Sequence, residues 1–133
     1  MQRRCARNLA ELSEIVAMTD RFYSEHGIDP GKRHVVDLCI EELFVNMVTY
    51  DTETDARILI ELAPHGTGVK VSLTDYDVDR FDPRRAPSVD VDTPLEQREP
   101  GGLGLFLVLK MVDSINYEYQ DRVSKITFVA GGT

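Results

Sequence analysis

Glu42 and Asn46, in the stretch "EELFVNMVTY", place a carboxylate and a carboxamide four residues apart. At about 100° per residue such a pair projects side by side from a helix. Val36, Ile40, Leu43, Phe44 and Met47 make the apolar stripe of that helix. Glu42 and Asn46 fall on its shoulder, near Val35 and Cys39, while Glu41 points further toward solvent. Polar groups at the margin of a buried face read as the floor of a cleft. The plainer alternative is a solvated helix edge, since Glu is a good helix former.

Two further stretches carry chemistry. In "PGGLGLFLV", Gly101, Gly102 and Gly104 stand at the mouth of an apolar helix. Glycine lets the backbone approach a ligand closely, and the first N–H groups of a helix attract an anion such as phosphate. The alternative is a flexible turn that needs glycine for its dihedrals. In "LTDYDVDRFDP", strand alternation puts Asp75 on the face of Val71 and Leu73, with Tyr76 pointing away. A carboxylate there can accept from the amino group of adenine, where guanine offers no donor. The alternative is an Asp-rich turn that closes a strand.

These groups need elements to hold them. Leu9, Leu12, Ile15, Val16, Met18 and Phe22 recur at helical spacing within residues 8–25, and "HGIDPGK" breaks the pattern. A second helix is expected from about His34 to Thr49. "DARILIEL" and "VKVSLTD" alternate as half-buried strands around the turn "HGTG". Residues 77–100 are polar and Pro-rich, a loop long enough to act as a lid. A third helix should follow from "GGLGLFLVLKMVD", and "INYEYQ" and "KITFVA" pair as a hairpin through "DRVS". The N-terminus looks too short or too polar for a good strand before the first helix, with a shortened sheet edge as the alternative. The order predicts an α+β two-layer sandwich: a mixed, mainly antiparallel sheet with helices on one face, in a single domain over residues 1–133.

Composition narrows the function. The net charge of −8 argues against direct nucleic-acid binding. No apolar run reaches the roughly 20 residues of a membrane span, and no secretory signal follows the basic start. Cys5 and Cys39 lack metal-ligand spacing; a disulfide between them is the alternative to free thiols in a reducing cytoplasm, which is the favoured reading. His26, His34 and His65 read as structural or solvated. The acidic run Asp90, Asp92, Glu96 and Glu99 reads as a solvated face or as steering for a basic partner.

In this order the three stretches resemble the N box, G1 box and G2 box of the GHKL ATPases, and within them the anti-sigma factor serine/threonine kinases of bacterial partner switching. The resemblance spans about residues 8–130 and implies a histidine-kinase-like ATPase fold. It implies that Glu42 is the general base and that Asn46 offers its oxygen to Mg²⁺. Asp75 would bind the adenine amine, with Asp77 beside it in the nucleotide site. Gly101, Gly102, Leu103, Gly104 and Leu105 would hold the phosphates of ATP under a lid at about residues 84–100. The implied reaction is γ-phosphoryl transfer to a serine of a STAS-domain anti-anti-sigma protein. A sequestered sigma factor, a serine phosphatase and a second copy of the chain complete the implied partners. The middle box departs from its D-x-G pattern, reading Asp75-Tyr76-Asp77; a second register would place Tyr76 at the acid and Val78 at the glycine. The competing expectation is a non-catalytic partner-switch module whose nucleotide site has degenerated.

Overall fold

The computed structural model describes residues 1–50, 54–79 and 110–131. Five strands form one sheet in the order β1-β2-β3-β5-β4, every neighbouring pair antiparallel. The strands are β1 (Gln2–Cys5), β2 (Ile58–His65), β3 (Gly68–Tyr76), β4 (Ser114–Gln120) and β5 (Val123–Ala130). Between β1 and β2 run a 3₁₀ turn (Leu9–Glu11), α1 (Leu12–His26) and α2 (Pro30–Tyr50). The architecture is the expected α+β sandwich, with antiparallel pairing throughout the described residues.

The alternation of the strands dictates the core. Ile58, Ile60 and Leu62 of β2, Val69, Val71 and Leu73 of β3, and Ile126 and Phe128 of β5 are all buried on one face. From the helices, Phe22, Val36, Ile40, Leu43, Phe44 and Met47 meet them. Each large apolar side chain removed from water there contributes about 1.5–3 kcal/mol. α2 packs on β3 and β5 while α1 packs on β2, so the α2 stripe lies directly over the strand that carries Asp75.

Both helix junctions follow from local chemistry. Gly27 ends α1 in the left-handed conformation, φ 62°, with its N–H on the Tyr23 carbonyl. α2 then starts four residues before the expected His34. Asp29 caps it by accepting from the Gly31 N–H at 2.9 Å, and Pro30 occupies the first helical position, where its missing donor costs nothing. What reads as a breaker is thus partly a helix start. Tyr23 donates to Asp37 at 2.5 Å and carries the Arg33 guanidinium over its ring, tying α1 to α2.

The N-terminus forms a strand after all, and a short one, the shortened sheet edge of the alternative reading. β1 pairs with β2, Arg3 opposite Ile60 and Cys5 opposite Ile58. A four-residue edge strand needs only one buried anchor, Cys5, and tolerates the charges of Arg3 and Arg4. The last hairpin is also tighter than expected. Its turn is Asp121-Arg122, with φ 53° and 64°, and Val123 and Ser124 already belong to β5. The expected lid at residues 84–100 and most of the expected third helix fall outside the described residues.

Candidate functional site

Where α2 crosses β3, the helix turns its shoulder into a polar margin. Asn46 is 8% exposed and Glu42 half-buried, whereas Glu41 faces solvent. Burial pushes the Glu42 carboxyl above its ordinary value, and the neighbouring charge of Glu41 adds to the rise. A carboxylate raised in this way is a better proton acceptor than a free one. Cys39, one turn earlier, is fully buried.

Asp75 lies on the core side of β3, as alternation requires, and has no exposed surface. A buried carboxylate needs a partner, and Arg7 supplies it: the guanidinium donates from Nη2 to Asp75 Oδ1. Arg7 Nη1 also reaches the Met47 carbonyl at 3.4 Å, one residue beyond Asn46. Arg7 therefore bridges the end of β3 to the part of α2 that carries Asn46. Asp75 Oδ2 is buried and accepts no hydrogen bond among the described residues. An unmet buried acceptor of this kind is uncommon and calls for an explanation.

The two possible registers of the middle motif differ in the backbone. Asp77 adopts φ 59°, the left-handed region that glycine enters freely and Asp tolerates. Val78, the glycine position of the second register, is instead a buried side chain, 1% exposed. The conformation thus matches Asp75 with Asp77 rather than Tyr76 with Val78. The side chain of Asp77 is exposed and is bound by Arg122 at the tip of the β4–β5 hairpin, 3.0 Å from Nε. Arg122 also holds Asp79 at 2.9 Å, and its carbonyl accepts from the Val78 N–H at 3.0 Å. Tyr119 donates to the Val78 carbonyl at 2.9 Å. The hairpin thus fixes the chain as it leaves β3.

These residues fit an amine-bearing base: Asp75 Oδ2 is a buried acceptor without a donor among the described residues, at the strand end that Arg7 ties to α2. For a metal the fit is narrower. Among the described residues no group of three His, Cys, Asp or Glu side chains converges on a point. An ion held here would rely on the Asn46 oxygen together with ligand phosphates and water, as Mg²⁺ does. Gly101, Gly102, Leu103, Gly104 and Leu105 lie outside the described residues, so Glu42, Asn46, Asp75 and Asp77 are the expected site residues that can be located. Arg7 and Arg122 are additions. No spacing signals either one, because each acts across the fold on a residue more than 40 positions away.

Comparison with known proteins agrees with this fold. A family model described as histidine kinase-like ATPase domain matches residues 5–130. No curated protein sequence matches the chain. Among solved structures, the fold is similar to the crystal structure of the RsbU and RsbW domains of Rv1364c from Mycobacterium tuberculosis. The TM-score is 0.68 at 15% identity, covering 97% of this chain and 31% of that one. The chain thus spans under a third of that protein.

Proposed function

Because the chain belongs to the histidine kinase-like ATPase domain family, we propose that it binds ATP with Mg²⁺ and acts as a partner-switching anti-sigma regulator. In this reading it phosphorylates a serine of a STAS-domain anti-anti-sigma protein and sequesters a sigma factor. The observation that carries it is the buried, unmet Oδ2 of Asp75, a residue that Arg7 links to the Met47 carbonyl one position beyond Asn46. The adenine amine would donate to Asp75. Asn46 would contribute its oxygen to Mg²⁺, which neutralises phosphate charge when bound. Glu42 would take the proton of the serine hydroxyl as its oxygen bonds to the γ-phosphorus; the bridging bond to the β-phosphate breaks and ADP leaves. Backbone amides around Gly101, Gly102, Leu103, Gly104 and Leu105 would hold the phosphates, with residues 84–100 as the lid. A serine phosphatase and a second copy of the chain belong to the same proposal, as does a cytoplasmic setting.

A second reading, a non-catalytic partner-switch module, draws on a specific observation: Arg7 already occupies one oxygen of Asp75. Thermal unfolding with Mg–ADP separates the two. A ligand at 100 times its Kd stabilises the native state by about 2.7 kcal/mol. The kinase reading expects that shift, and expects Glu42→Ala to keep it while losing phosphotransfer to the STAS partner. No shift at millimolar nucleotide would leave the interaction module standing. Undiminished transfer in Glu42→Ala would remove Glu42 from the chemistry.

A further inference from the structure

We propose that Arg7 sets the base selectivity of the nucleotide site by holding Asp75 as a carboxylate that can only accept. The proposal rests on the nucleotide reading above and assigns a residue outside its three motifs. Arg7 lies at the apex of a three-residue turn closed by the Asn8 N–H on the Ala6 carbonyl at 2.8 Å. Both flanks are fixed. Cys5 anchors β1 in the core, and Asn8 caps the following 3₁₀ turn through the Ala10 N–H at 2.9 Å. The guanidinium is thereby delivered to the end of β3, with the Arg7 and Asp75 side chains only 9% and 1% exposed.

The pairing divides the work of the carboxylate. Oδ1 receives the Arg7 donor, and Oδ2 stays buried without one among the described residues. Arg7 can only donate, so Asp75 meets it as the acceptor, and the pairing favours the ionised carboxylate, whose Oδ2 accepts and does not donate. A 6-amino purine presents a donor at that point. A 6-oxo purine presents lone pairs, which an ionised carboxylate repels. Without the cation, a desolvated carboxyl takes up a proton, and its O–H then donates to a 6-oxo group. Arg7 is a positioning residue in this scheme, acting on the base through Asp75.

Calorimetric titration of the whole chain with Mg–ADP and with Mg–IDP, which differ in the amino and oxo groups at position 6, tests this. The unaltered protein should bind ADP at least about tenfold more tightly, as sites built around one hydrogen bond do. In Arg7→Met the ratio should fall toward one, and Arg7→Lys, which keeps the cation, should restore it. If Arg7→Met does not fold, Arg7→Gln takes its place with the same expectation. Equal weakening of both nucleotides with the ratio preserved would make Arg7 a purely structural residue and overturn the proposal. So would an unaltered protein that binds ADP and IDP alike, although nucleotide binding itself would then stand. Binding of neither would overturn the nucleotide reading, and the selectivity with it.

Discussion

A carboxyl raised by burial is costly when ionised, and at the residue scale Glu42 is such a group. The folded chain holds the Glu42 proton more tightly than the unfolded chain. That contribution is complete below the unfolded value of about 4.3 and is lost as pH rises through the raised native value. Glu42→Gln, which has no charge to desolvate, should therefore melt at a higher temperature than the unaltered protein at pH 7. The gap should close below about pH 4; thermal scans across that range check it, and a lower melting temperature at pH 7 would contradict it. A group that lowers stability in its working form fits a functional role, since function and stability commonly conflict at active sites. At this scale Glu42, Asn46 and Asp75 were legible, because helical spacing and strand alternation fix which face each occupies. Arg7 was not, since a contact 68 positions away leaves no periodic trace. Nor was the left-handed backbone of Asp77, a conformation only glycine advertises.

Strands and helices were read well in their interiors and poorly at their ends. The α2 stripe and the inward residues of β2 and β3 follow from period alone, whereas β1 is too short and too charged to show one. The Asp121-Arg122 turn lacks the Asn-Gly or Asp-Gly pair that would announce its positive dihedrals. The packing of strand ends makes a sharper demand at Gly68, at the start of β3. A Cβ there would lie 2.3 Å from the Ala130 carbonyl oxygen and 2.3 Å from the Gly131 carbonyl carbon. Backbone cannot swing aside as a side chain can, so Gly68→Ala should cost about 1–3 kcal/mol. Urea unfolding should show a lower midpoint at unchanged slope; an unchanged midpoint would mean that β3 and the end of β5 separate easily.

At the scale of the molecule, one sheet face and two helices enclose, among the described residues, a core that reaches both cysteines. Cys5 and Cys39 are free and fully buried. Burial pushes their thiols up to about 11 and about 12. Since the thiolate is the nucleophile, neither sulfur can react with an alkylating reagent at neutral pH until the fold opens. The protein thus contains two built-in clocks for its own opening, one on the edge strand and one on α2. Mass-resolved labelling should find Cys5 modified first, because a four-residue edge strand frays before a helix in the middle of the core. Simultaneous modification would mean that the edge and the centre come apart as one unit.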